Sequence, residues 1–206
     1  MKTKIFICCL NVLITFAACN TNEPTETDFK IYVAALCDYY PYSLNEELYY
    51  TNENMDRAWV AIAFDYFGDG VCPHTHVFAN NDVYAKSYGD KYADIAAYLL
   101  EDGLTKNPDM TQIHTTVSYA RGSKTVYVTW TICFRLNDTE HYSGVLREEC
   151  APKDFDSLMK KTIEIPLKTT GSYALIEKGL GLTAFSLDGT TLYRRQIVHF
   201  DNQANN

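Results

Sequence analysis

Residues 112–136, QIHTTVSYARGSKTVYVTWTICFRL, decide the fold. Val126, Val128, Trp130, Ile132 and Phe134 alternate with Tyr127, Thr129, Thr131, Cys133 and Arg135, and a period of two is the side-chain repeat of a strand with one face on a core. The first set is expected to face inward. Arg121-Gly122-Ser123 breaks the alternation with turn chemistry, so QIHTTVSYA and KTVYVTWTICFRL read as two arms of a β-hairpin.

Towards the C-terminus, Asn137-Asp138 turns the chain into HYSGVLREEC, and a short helix around 154–161 follows Pro152. IEIPL, SYALIEK and LTAFSL read as further strands, and Asp188-Gly189 makes a tight turn into the last one, TTLYRRQIVHF. Towards the N-terminus, the aromatic and β-branched residues of FKIYVAALC, 29–37, predict a strand. Met55, Trp59, Ile62 and Tyr66 recur at spacings of 4, 3 and 4, which predicts a helix over 54–67 closed by Gly68. Val83, Tyr84, Tyr88, Tyr92, Ile95, Tyr98 and Leu99 predict a long helix over 82–102, capped by Asn81 or Asp82 and ended by Gly103. The expected fold is therefore α+β: a single domain, 29–200, in which one long helix covers a mostly antiparallel sheet, as in cystatin-like and NTF2-like folds. A polar tail, 201–206, follows.

The first twenty residues, MKTKIFICCLNVLITFAACN, carry a different message. Lys2 and Lys4 form a basic start, Ile5 to Phe16 is an apolar run too short to span a bilayer as a helix, and Ala17-Ala18 precede Cys19. This resembles the signal peptide and lipobox of a bacterial lipoprotein, with Phe16 where that family usually has Leu. The resemblance implies removal of residues 1–18 and acylation of Cys19, which becomes the first residue of the mature chain. Residues 19–28 then read as the lipidated cysteine and a polar tether, since NTNEPTETD holds one proline, three acids and no apolar residue. Asn20 is not the aspartate that retains enteric lipoproteins in the inner membrane, so the resemblance points to the outer membrane.

Without residues 1–18 the chain keeps 16 basic against 26 acidic residues, so its charge moves from −8 to −10. That surplus argues against nucleic acid as a partner and against direct adhesion to anionic lipid headgroups, both of which need a positive surface. The expected membrane contact is the lipid anchor.

Sixteen tyrosines against two tryptophans make tyrosine the compositional outlier. Tyr39, Tyr40, Tyr42, Tyr49 and Tyr50 fall within YYPYSLNEELYY. Tyrosine suits half-buried strand faces, and it also suits recognition surfaces because it offers rigid amphipathic area at little entropic cost. This cluster is the expected partner-binding surface.

Cys37, Cys72, Cys133 and Cys150 follow the lipobox, an even count that permits two disulfides in an oxidising compartment, with three possible connectivities. In an extended segment Cys72, His74 and His76 would share one face and could offer three ligands to zinc or copper, with His114, His141 and His199 as distant additions. The plain alternative is an oxidised Cys72 beside two exposed histidines. Asp65, Asp69, Asp102, Glu46-Glu47 and Glu148-Glu149 supply carboxylates, but acid/base catalysis needs two held at a set distance. No nucleophile elbow, phosphate loop or dinucleotide fingerprint occurs, and no motif implies a cofactor.

The sequence is read as a non-enzymatic envelope lipoprotein that binds a protein or glycan partner. Its alternatives are a metal-dependent or thiol hydrolase of cell-wall or polysaccharide material, acting through Cys72, His74 and His76, and an envelope inhibitor or immunity protein.

Overall fold

Residues 125–136 form a strand paired on both sides within an antiparallel sheet. The computed structural model describes residues 23–43, 46–54, 58–64, 75–76, 90–101, 110–120, 123–136 and 140–196. Within them, helix α1 (Glu26–Cys37) precedes β1 (Glu47–Asn52), β2 (Ala58–Phe64), β3 (Thr75–His76), β4 (Asp90–Glu101), β5 (Met110–Ala120), β6 (Thr125–Leu136) and β7 (Glu140–Cys150). A 3₁₀ helix (Pro152–Leu158) leads to β8 (Thr162–Pro166), β9 (Tyr173–Glu177), β10 (Gly181–Ser186) and β11 (Tyr193–Gln196).

The β5–β6 hairpin forms as its alternation predicts, with Ile113 opposite Ile132 and Val117 opposite Val128. Val126, Val128, Trp130, Ile132 and Phe134 are all fully buried. Strand order is β7-β6-β5-β4-β2-β1-β11-β10-β9-β8, and β3 pairs with β4 beyond the end of β2. The two ends of this path meet. Gly144 of β7 bridges to Leu167, and the Lys168 N–H donates to the Ser143 carbonyl at 3.0 Å, which closes the sheet into a barrel. A Cβ on Gly144 would collide with the Pro166 carbonyl oxygen, so the seam requires glycine. The connection between β10 and β11 spans residues 187–192, longer than a two-residue turn, with Asp188 accepting from the Thr190 and Thr191 N–H groups at 2.8 and 2.6 Å.

Three expected elements change type. Residues 29–37 are helical, not extended. Thr25 and Asp28 form a capping box, the Thr25 N–H donating to Asp28 Oδ2 at 2.7 Å and the Asp28 N–H to Thr25 Oγ1 at 3.2 Å. The buried residues Phe29, Tyr32, Val33 and Leu36 then recur at the helical offsets 0, 3, 4 and 7. Cap and stripe together outweigh the β-leaning propensity of the individual side chains. Residues 26–28, expected in the polar tether, are therefore the first turn of α1, with Thr25 capping it and Pro24 buried.

The expected helices over 54–67 and 82–102 hold strands β2 and β4 in their described parts. Buried Ala61 and Ala63 in β2, and buried Ala97 and Leu99 in β4, repeat at period two. Eleven register pairs tie β4 to β5. Backbone pairing on both sides of β4 overrides the alanine-rich helical pattern. The long covering helix and the cystatin-like or NTF2-like layout therefore give way to a curled antiparallel sheet with α1 across one end.

Candidate functional site: the helix-capped end of the barrel

Aromatic side chains fill the interior of the barrel. Tyr39 meets Trp130 edge-on at 5.0 Å between ring centroids, and Phe185 packs against Tyr50, Phe134 and Tyr193 at 5.3, 4.8 and 5.1 Å. The tyrosine cluster supplies much of this core. Tyr39, Tyr40, Tyr42 and Tyr50 are buried and only Tyr49, at 38% exposure, reaches solvent, so the five do not form the exposed recognition patch expected of them. Their hydroxyls bind protein groups: Tyr39 donates to the Lys160 carbonyl, Tyr40 pairs with Thr115 Oγ1, and Tyr50 donates to the Leu182 carbonyl at 3.0 Å. The Leu182 N–H donates to the Tyr42 hydroxyl at 2.6 Å. Tyr42 fills the space that a Cβ on Gly181 would occupy, and Gly181 adopts a φ of 75°. Burial raises the Tyr39 and Tyr42 hydroxyls to a pKa of about 12, pushes that of Tyr40 higher still, and holds that of Tyr50 well above its ordinary value.

The end of the barrel where β7 gives way to β8 is roofed by α1 and the 3₁₀ helix. The Tyr32 ring stacks on Phe155 at 4.0 Å, and its hydroxyl donates to the Pro152 carbonyl at 3.3 Å. At the other end of α1, the Gly179 N–H in the β9–β10 turn donates to the Asp38 carbonyl at 2.6 Å. Between the start of α1, the β5–β6 turn and residues 151–153 lies a cleft of about 550 Å³, walled by Pro24, Asp28, Tyr32, Lys124, Pro152 and Lys153. Lys124 takes a left-handed φ of 55° in that turn. Hydrogen bonds from Thr25 hold the Asp28 carboxyl below the usual carboxylate range.

The outward side of β5–β7 is different in character. Rows run straight across three strands: His114, Thr131 and Val145 form one, and Thr116, Thr129 and Arg147 the next. The Arg147 guanidinium lies 4.0 Å from the centre of the Tyr127 ring. This face offers hydroxyl, imidazole and guanidinium groups around Val145, which is 57% exposed.

The other expected site residues fall apart or lie elsewhere. Cys19, Cys72 and His74 are outside the described residues, and His76 enters β3 opposite Asp94. No group of three or more metal-ligating side chains occurs among the described residues. Glu46 accepts from Arg195 at 2.9 Å and from the Ser43 N–H at 2.9 Å, and Glu148 pairs with Lys160, so both carboxylates carry structural contacts.

Cys133 and Cys150 are free thiols, and Cys37 is not among them. Register forbids a bridge between the two. Cys133 lies seven residues along β6 from Val126, the partner of Cys150, a separation of ~23 Å at strand rise, against the ~7 Å limit for bridged Cα atoms. Of the four cysteines expected to pair, this leaves Cys37 and Cys72, and Cys72 lies outside the described residues.

The exposed apolar residues at the helix-capped end, Ile31 on α1 and Leu180 in the β9–β10 turn, were not foreseen. They are 149 positions apart in the chain and share no sequence pattern. No protein-family model matches the chain, and no curated protein and no solved structure is significantly similar to it.

Proposed function

We propose that the chain is a lipid-anchored envelope module, held by an acylated Cys19, that binds a protein or glycan partner on its outer surface without catalysing a reaction. The observation that carries this reading is the filled interior. With Tyr39 packed on Trp130 and Phe134 packed on Phe185 there, a partner is met from outside. The outward rows of β5–β7 are the proposed face, since His114, Thr116, Thr129 and Arg147 supply polar contacts around the exposed Val145. The lipobox-like stretch Phe16-Ala17-Ala18-Cys19 supports the anchor.

Two measurements test the reading. Labelled palmitate is expected in the wild-type protein and not in Cys19→Ala; an unlabelled, freely soluble wild type removes the anchor. A photo-crosslinking side chain at Val145 is expected to give a discrete adduct in intact cells, whereas the same group at exposed Lys168 gives none. Equal yields at the two positions would remove the β5–β7 face.

A further inference from the structure

We propose that the helix-capped end of the barrel is a membrane seat, whose occupant is the bilayer that holds Cys19; the inference rests on the anchor reading above. Chain length sets the geometry. Cys19 is four residues before Glu23, which borders the cleft at this end. Four residues reach at most ~14 Å. An acylated Cys19 therefore keeps this end within one headgroup layer of the lipid, while the loops at the opposite end are carried away from it.

What the end presents fits that position. α1 turns Phe29, Tyr32, Val33 and Leu36 into the barrel and leaves Lys30, Ile31 and Ala34 outward. Ile31 is 58% exposed and Leu180, beside the C-terminal end of α1, is 40% exposed. They account for two of the four large exposed apolar side chains among the described residues. Around them, six of the seven lysines with described side chains lie at this end: Lys30, Lys124, Lys153, Lys160, Lys161 and Lys178. Lysine stems cover apolar surface while their ammonium groups stay at headgroup level.

Acidic side chains lie here too. Asp38 is paired with Lys178 at 3.2 Å, but Asp154 and Asp156 on the 3₁₀ helix are exposed. The seat is therefore interfacial and not an anion-binding surface, so lipid charge is not required. Two exposed apolar side chains would not hold a free protein on a membrane. On a short tether they need not, because the anchor raises the local concentration of bilayer to the millimolar range and a weak contact then suffices to fix orientation.

The test uses acylated full-length protein floated with phosphatidylcholine vesicles, and reads lysine acylation by an amine reagent with mass spectrometry. Lys124, Lys153 and Lys161 are expected to react about fivefold more slowly than Lys168 at the other end, compared with the same ratio in the unanchored Cys19→Ala chain. The protection should survive 0.5 M salt, which screens charge contacts to within about 4 Å. The double variant Ile31→Asp, Leu180→Asp should still float and lose the protection. An unchanged Lys124-to-Lys168 ratio in floated wild type overturns the seat and leaves the anchor standing. Protection that appears only with anionic lipid and vanishes in salt also overturns it, in favour of an electrostatic contact. A wild-type chain that fails to float removes the anchor and the seat together.

Discussion

Gly144 faces Leu167 across the one bridge that joins the first and last strands of the sheet path. The backbones come close enough there that the Pro166 carbonyl oxygen occupies the place of a Cβ on Gly144. Gly144→Val must push the seam open or displace Leu167, an overpacking cost of ~1–3 kcal/mol. The expected result is a thermal midpoint lowered by roughly 2–10 °C for a domain of this size. A midpoint equal to wild type would mean that the closure is looser than this contact implies.

Burial separates two neighbouring tyrosine positions. Tyr40 is 2% exposed with its hydroxyl on Thr115, whereas Tyr49 is 38% exposed on β1. Tyr40→Ala should cost ~3–5 kcal/mol, in the range of large-to-small core substitutions. Tyr49→Ala should stay within ~0.5 kcal/mol. Denaturant unfolding measures both, and a similar loss in the two variants would contradict the inward placement of Tyr40.

Alkali should unfold the protein, and the sign follows from the tyrosines. Tyr32, Tyr39 and Tyr42 are raised to about 12, and Tyr40 and Tyr50 are also raised, each chiefly by burial. An acid with a raised folded-state pKa contributes stability that is fully present below its unfolded value of ~10 and is lost as pH climbs through the folded value. Between pH 10 and 12 the unfolded chain binds fewer protons, so each such tyrosine removes up to ~1.4 kcal/mol per pH unit. Tyrosinate absorbance and circular dichroism should therefore change together in a steep step. Smooth ionisation of all tyrosines near pH 10 with the fold intact would refute the shared burial.

Thiol chemistry should divide the cysteines. Cys133 and Cys150 are free and too far apart in register to pair, and burial raises the Cys150 thiol. Under non-reducing, denaturing conditions both should alkylate fully, while Cys37 is blocked and is released by reductant together with Cys72. Recovery of a peptide pair linking Cys133 to Cys150 would mean that the β6–β7 register is different.

Strands β5, β6, β8 and β9 were legible because each carries its own period of two. In β6 the inward and outward sets never exchange. The helix at residues 26–37 is announced by Thr25 and Asp28, but those two residues suit a polar linker equally well, and the side chains after them favour a strand by propensity. Strands β2 and β4 were hidden by alanine. Small residues fit a helix stripe and a strand face equally well, and what decides between them is a partner strand distant in sequence, as Ala97 opposite Ile113 illustrates. The tyrosine cluster misled for a related reason. Aromatic density marks interfaces and barrel interiors alike, and only the folding of α1 over the barrel end places Tyr39, Tyr40 and Tyr42 on the inner side. The proposed membrane seat had no local signal at all, since its lysines and its two exposed apolar residues come from separate turns and helices.

Strand β11 lies between β10 and β1, pairing with residues 49–52 on one side and with Ala184 and Phe185 on the other. For a chain synthesised N-terminus first, that placement makes β11 a keystone. The hairpins of β4–β7 involve neighbours in sequence and can zip as they emerge, but the ring stays open until residues 193–196 have crossed as well. Until then β1 and β10 expose unpaired edges, which invite pairing with other chains. A truncation anywhere before Tyr193 therefore leaves an open, aggregation-prone sheet with both of those edges unpaired.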